Sequence, residues 1–388
     1  MDTVGLIGWN GKRNVGDDAM TAVIINYILK YVNPSANFRL LADADRLAHY
    51  TKANTEIKGF SRYNTFQSIP YVRRWLNPIL FDRRLAHEAP LLLVGGGSIF
   101  HTAVHSQRLS RVIATTRQAH PNAVIASLGI SIGPFQTAAQ YKACKQTTSQ
   151  LDFIAVRDQR SWEMLQSFEL EIPSVNAMDI ALLLPEVLPD MPSDARPNVG
   201  SKTDGPSVPS VAIALRHGQT PPAFIRTVTA SLDALQTDNP SVVVEFLNFS
   251  DVDEPASRYV QSKLKHSKRT KFYPYSDRPE EMYQRIAQSS LVLASRLHAA
   301  VIAYAVETPF GVLAYHQKCI DFAEAVNLPQ PWIMSIKSLT PETLTRQLKQ
   351  ALIENKLPKP ARALSEAKTQ AHQSFQFLKA HRLPAMAK

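Results

Sequence analysis

The sequence predicts an α/β protein of two Rossmann-like domains whose parallel sheets face a cleft. Three observations predict it. Short apolar runs of strand character recur along the chain, and segments of helical periodicity follow them. Glycine-rich or charged turns close these runs, where open α/β sheets place ligands. A proline-rich stretch near the middle separates two such series.

Composition bounds the reading. At 388 residues the chain exceeds one ordinary core, so two domains are expected. With 45% hydrophobic and 20% charged residues it is globular. Its longest apolar runs, Leu91 to Val94 and Ala299 to Val306, fall short of the ~18 residues of a membrane span. Met1-Asp2-Thr3 lacks the basic region of a secretory signal, and Val4 to Trp9 is too short for its apolar core. Cys144 and Cys319 make neither a disulfide framework nor a zinc site by spacing, which fits a reducing cytoplasm. The net charge of +10 points to anionic partners: a phosphorylated substrate, a membrane surface or nucleic acid. The basic residues are scattered and no DNA or RNA module is visible, so nucleic acid is not expected.

The first domain is expected over 1–185. Val4 to Trp9 reads as its first strand, and an amphipathic helix through Lys30 follows the turn Asn10 to Asp18. Gly11 and Gly16 let that turn approach a ligand closely. It is not G-x-G-x-x-G, so no dinucleotide site is assigned. Between residues 60 and 84, Phe60, Tyr63, Phe66, Tyr71, Trp75 and Phe81 alternate with Arg62, Arg73, Arg74, Arg83 and Arg84. Such a stretch suits a membrane interface, a sugar or single-stranded nucleic acid, or else a surface segment docked by its aromatics. Leu91 to Val94 reads as a buried parallel strand entering Gly95-Gly96-Gly97. Ala123 to Leu128 and Phe153 to Val156 are further strands, the latter delivering Arg157 and Asp158 ahead of a helix from Ser161.

Residues 186–210, rich in proline, glycine and serine, are expected to be a linker or insertion. The second domain is expected over 211–340. Val211 to Leu215 is a strand that delivers Arg216 and His217. Pro222 to Leu235, Ser257 to Leu264 and Glu280 to Gln288 read as helices, and Ser241 to Leu247 as a strand. The basic run Lys265, Lys268, Arg269 and Lys271 reads as a solvated face. The strand Leu291 to Ala294 enters Ser295-Arg296-Leu297-His298, and a helix over Ala299 to Val306 follows. Pro309 to Leu313 is a strand with Tyr315, His316 and Lys318 beyond it. The tail 341–388 reads as basic helices that can pack back on the first domain.

The chemistry concentrates at Ser295 to His298. Strand, tight turn and helix build anion sites. Ser295 can cap the helix, with Arg296 and His298 in its first turn. Arginine offers a planar fork to phosphate or carboxylate, and histidine moves protons near neutral pH. The alternative is a salt-bridged arginine and a packed histidine beside a helix start. Across the expected cleft, Arg216, Arg296, His298 and Lys318 stand on one side, and Asn14, Gly16, Asp17 and Gly95 to Gly97 on the other.

In this order and spacing the motifs resemble the polysaccharide pyruvyl transferase family, over about residues 4 to 330. The family's G-N-x-G-D-E-A stands here as Arg13-Asn14-Val15-Gly16-Asp17-Asp18-Ala19. The triple glycine, Gly129 to Pro134, Arg157-Asp158 with Ser161, Asp179 with Ala181, Ser295 to His298, and Tyr315 with Lys318 follow. Arg13 replaces the first glycine and Asp18 the glutamate, so the first loop departs most from the pattern.

The resemblance implies a GT-B-like architecture and transfer from phosphoenolpyruvate to a sugar in a polysaccharide or its polyprenyl-linked precursor. A pyruvate ketal forms and phosphate leaves, with no cofactor or metal. It implies donor binding by Arg216 and Arg296, with Ser295 and Leu297 as further substrate-binding candidates, and a proton from His298; the helix start at Ser295 suits the leaving phosphate. Asn14, Gly16, Gly95, Gly96, Gly97 and Arg157 are carried over as substrate-binding candidates. Lys318 either neutralises donor phosphate or is a surface lysine. Asp17 is a candidate general base by loop position, or else caps the first helix. A cytoplasmic enzyme, with or without a peripheral contact at the inner membrane face, would fit. Two rivals are a nucleotide-sugar glycosyltransferase, with Glu307 near a ribose, and a non-catalytic polysaccharide-binding relative.

Overall fold

The computed structural model describes residues 3–8, 13–40, 57–59, 80–188, 208–218 and 220–380. The chain divides into two compact units. The first comprises Met1–Lys12, Asp17–Leu188 and Lys368–Lys388; the second comprises Arg13–Gly16 and Pro189–Ala367.

The first unit is built on a parallel sheet of seven strands among the described residues: β1 (Thr3–Ile7), β2 (Asn37–Leu40), β3 (Ile57–Gly59), β4 (Leu91–Phe100), β5 (Val124–Ile132), β6 (Phe153–Val156) and β7 (Ser174–Asn176). Their order is β3-β2-β1-β4-β5-β6-β7. The helices between them include α1 (Val15–Tyr31), α2 (Ala103–Ala119), α3 (Ala138–Thr148) and α4 (Gln159–Gln166). Leu91 to Val94 are wholly buried, as a central parallel strand covered on both faces requires. The expected amphipathic helix differs in character. Helix α1 is buried at nearly every position through Ile28, because its residues are apolar on all sides.

The second unit repeats the plan with six strands: β8 (Ser210–Ala214), β9 (Val243–Leu247), β10 (Thr270–Tyr273), β11 (Leu291–Ala294), β12 (Phe310–Ala314) and β13 (Ile333–Ser335). They are parallel, in the order β10-β9-β8-β11-β12-β13. Helices α5 (Pro222–Asp238), α6 (Glu254–Lys263), α7 (Pro279–Gln288), α8 (Leu297–Ala305), α9 (Gln317–Ala325) and α10 (Pro341–Leu352) complete it. Every residue of α8 is buried. Burying each large aliphatic side chain there contributes about 1.5–3 kcal/mol, so the element that carries the histidine is firmly seated.

The strands absent from the sequence reading are β2, β3, β7, β10 and β13. They have three or four residues each and lie towards the sheet margins, where alternation is brief and polar residues are common. The run read as a solvated basic face overlaps the start of β10, with Lys271 paired to Glu245.

The tail behaves in two parts. Helix α10 packs on α5 within the second unit, where Ser231 Oγ donates to the carbonyl of Pro341. Helix α11 (Leu364–His372) leads into residues that belong to the first unit. There Phe375 stacks on Tyr27 at 3.8 Å and Phe377 on Phe153 at 4.9 Å. Most of the proline-rich stretch, 189–207, lies outside the described residues, as does 60–79 of the basic-aromatic stretch. In its remainder Phe81 is buried and Arg84 pairs with Glu88. Among the described residues no helix is long and apolar enough to cross a membrane.

Candidate functional site

The carboxyl edge of the second sheet gathers the polar side chains. Arg216 and His217 leave β8, Asn248 to Asp253 leave β9, Ser295 to His298 leave β11, and Tyr315 to Lys318 leave β12. The N–H of Ser295 donates to the carbonyl of Ala214 at 2.9 Å, which extends the β11–β8 pairing by one residue. That bond ties Ser295 to the strand end, outside the helix. The N-cap of α8 is therefore Arg296, with no side-chain cap, and the expected capping role of Ser295 is corrected. Ser295 Oγ is buried and has no hydrogen-bond partner among the described residues.

Arg296 does not stand free. Its Nε donates to Asp253 Oδ2 at 2.8 Å and its Nη2 to Asp253 Oδ1 at 2.5 Å. Asp253 is fully buried and also accepts the N–H of His217 at 3.0 Å. Arg216 contrasts with it: its Nε is buried without a partner among the described residues, and its guanidinium lies 5.3 Å from the centre of the Tyr315 ring. Burial pushes the Tyr315 hydroxyl up to about 12, a rise that nearby Arg216 and Arg296 oppose. Tyr315 is thus a neutral donor across the physiological range. His316 caps α9, its Nδ1 accepting the N–H of Lys318 at 3.3 Å. Burial, then the charges of Lys318 and Arg216, lower the pKa of His316. Beside these groups lies a cleft of about 540 Å³, lined by His217, Thr220, Tyr259, Tyr315 and Lys337 among others.

His298 occupies the first turn of α8 and is 8% exposed. The loop Arg13 to Gly16 packs against it. Val15 N–H donates to the carbonyl of Phe249, and Asn14 bridges Ser250. A Cβ on residue 16 would lie 1.9 Å from His298 Nδ1, so only glycine fits there without displacing the imidazole. Asn14 Oδ1 accepts the N–H of Gly16 at 3.1 Å just before α1. Asn14 therefore caps that helix, not Asp17, which lies in the first turn. Arg13 has φ +56, a left-handed conformation that glycine adopts at no cost. That accounts for the glycine of the family pattern. Arg13 offsets the strain by pairing with Asp251 at 2.7 Å and lying over Tyr275.

The second unit thus brings together Asn14, Gly16, Arg216, Ser295, Arg296, Leu297, His298 and Lys318. The remaining sequence candidates lie in the first unit. Gly95 and Gly96 face α1, where a Cβ on Gly95 would lie 2.4 Å from Ile24 Cδ1 and one on Gly96 3.4 Å from Met20 Cε. Gly97 has φ +84. Arg157 is buried and held by Asp179 at 2.8 Å and by Ser131 Oγ at 2.9 Å. Its surroundings are those of an internal strut.

Two residues escaped the sequence reading. Asp253 stands in Asp251-Val252-Asp253-Glu254-Pro255, an acidic segment just past a strand end, which was the available signal. His101 follows β4, its Nδ1 buried without a partner among the described residues and its ring 5.6 Å from that of His105. Among the described residues no group of three or more His, Cys, Asp or Glu could hold a metal ion.

Comparison with known proteins gives a consistent picture. No curated protein sequence matches the chain. Its fold is similar to that of a UDP-N-acetylglucosamine 2-epimerase from Listeria monocytogenes, described as putative in its structure: TM-score 0.61, 11% identity, covering 95% of this chain and 90% of that one. It is similar to the Neisseria meningitidis UDP-GlcNAc 2-epimerase bound to UDP-GlcNAc, with TM-score 0.58, 11% identity, and 98% and 99% coverage. It is also similar to Anabaena HepE in complex with UDP-glucose, with TM-score 0.56, 14% identity, and 97% and 98% coverage. These likenesses show the fold, two Rossmann-like domains of GT-B-like type. The model of the polysaccharide pyruvyl transferase family matches residues 14–317, from the loop on His298 to the first residue of α9, and the chain belongs to that family.

Proposed function

We propose that the protein transfers the pyruvyl group of phosphoenolpyruvate to two hydroxyls of a sugar, in a polysaccharide or its lipid-linked precursor. The ketal forms and inorganic phosphate leaves. The observation that carries this reading is that Arg216 Nε and Ser295 Oγ, beside the uncapped start of α8, are buried without a partner among the described residues. Buried polar atoms without partners are uncommon and costly, and they suit an anionic ligand.

In this reading Arg216 and the α8 N-terminus hold the compact trianion, and Tyr315 donates as a neutral hydroxyl. Lys318 contributes positive charge. His298 gives its proton to the methylene carbon of the donor, which becomes the methyl group. The first sugar hydroxyl adds to the neighbouring carbon and loses its proton. Phosphate then departs with the electron pair of its C–O bond, and the second hydroxyl closes the ketal. One hydroxyl proton restores His298 and the other leaves with phosphate, so atoms and charge balance.

The test is calorimetric titration with phosphoenolpyruvate, beside UDP-glucose and UDP-GlcNAc, on the intact chain and on Arg216→Ala. Binding of phosphoenolpyruvate alone, abolished by Arg216→Ala, is expected. The fold neighbours solved with UDP-sugars favour one second reading, a nucleotide-sugar enzyme. Binding of a UDP-sugar and none of phosphoenolpyruvate would establish it instead.

A further inference from the structure

We propose that Asp253 is a positioning residue that locks Arg296 away from direct donor contact and leaves Arg216 as the anion-binding fork. The inference rests on the pyruvyl transfer reading and changes its division of labour, since the resemblance assigns both arginines to the donor.

Geometry carries it. Asp253 takes the Nε and Nη2 edge of Arg296 with both carboxylate oxygens, at 2.8 and 2.5 Å. That edge is one of the two that arginine can present to a carboxylate or phosphate as a fork. Asp253 is 0% exposed and Arg296 7%, so water neither screens nor competes for the contact. The charge of Arg296 is compensated inside the fold. Arg216, whose Nε is buried, has no such carboxylate on that atom among the described residues.

The same carboxylate also sets Arg216 indirectly. It accepts the N–H of His217, the next residue along the chain, at 3.0 Å. One side chain from the β9 exit thus fixes the β8 exit, which carries Arg216, and the β11 exit, which carries His298.

The experiment reads the arginine Nε–H signals by NMR, assigned with Arg216→Lys and Arg296→Lys, while phosphoenolpyruvate is added to the intact protein. The Arg216 signal is expected to shift strongly. The Arg296 signal is expected to stay put and to resist exchange with water. A shift of Arg296 equal to or larger than that of Arg216 overturns the proposal. The second arm is Asp253→Asn, which keeps the shape and removes the charge. It is expected to expose the Arg296 Nε–H to exchange and to make its signal shift when phosphoenolpyruvate is added. An Arg296 signal that exchanges freely yet still does not respond to phosphoenolpyruvate also overturns it. Should Asp253→Asn not fold, the titration of the intact protein decides. If phosphoenolpyruvate does not bind the intact protein, the donor assignment fails, and inorganic phosphate replaces it as the probe of which arginine responds.

Discussion

Arg157 and Arg216 both stand just past a strand end, one in each parallel sheet, yet they differ in what they touch. Arg157 has a buried carboxylate, a hydroxyl and a thioether around it. Arg216 has an aromatic face and a buried Nε with no partner among the described residues. A saturated arginine has already spent its donors on the fold. An unsaturated one keeps them for a ligand. The location at a carboxyl edge makes both candidates, and the partners tell a strut from a site.

The largest expected effect breaks the saturated side. Arg157→Met leaves Asp179 as an uncompensated buried charge and should cost about 3–5 kcal/mol of stability. Urea unfolding measures it, and donor affinity of the remaining folded protein should be unchanged. Arg216→Ala should do the reverse, holding the urea midpoint while weakening phosphoenolpyruvate binding by about 2–5 kcal/mol in calorimetry. If the two variants exchanged phenotypes, the comparison would be wrong.

Next in size is Gly16→Ala, whose methyl would overlap the His298 ring. Overpacking of this kind costs about 1–3 kcal/mol. The variant should lose turnover while keeping donor binding, because the imidazole moves and Arg216 does not. Retained turnover would remove His298 from the proton step.

A smaller effect belongs to the first unit. Glu186 bonds His372 and Lys368, and these contacts, His372 first, hold its carboxyl at about 2 against an ordinary 4.5. A depressed acid stabilises the fold above its unfolded value and loses that contribution as pH falls through the folded one. Glu186→Gln should therefore lower the melting temperature at pH 7, and the gap should close between pH 4.5 and about 2. A gap that persists unchanged to the acid end would refute the assignment. The smallest effect is Arg13→Gly. It relieves a left-handed residue and removes a half-exposed ion pair, each worth about 1 kcal/mol or less, so stability should move by about 0.5 kcal/mol at most. Differential scanning calorimetry checks it.

The long strands, the buried helix after His298 and the cation-rich second edge were legible because they rest on local pattern. Leu91 to Val94 and Ala299 to Val306 are apolar without interruption, and such runs must be buried wherever the chain goes. Arg216, Arg296 and His298 follow strands, so their placement at a carboxyl edge follows from chain direction. The short marginal strands were not legible, because three or four residues hold too little periodicity to show.

By itself the sequence determined which residue types reach the strand ends and which family the chain resembles. Tertiary structure alone decided which of them are occupied. Asp253 lies 43 residues from Arg296, and Asp179 lies 22 from Arg157. Gly16 meets His298 across most of the chain. Hydrogen bonds and steric exclusion act over a few ångströms, and pairs so distant in sequence are brought within that range only by the folded chain.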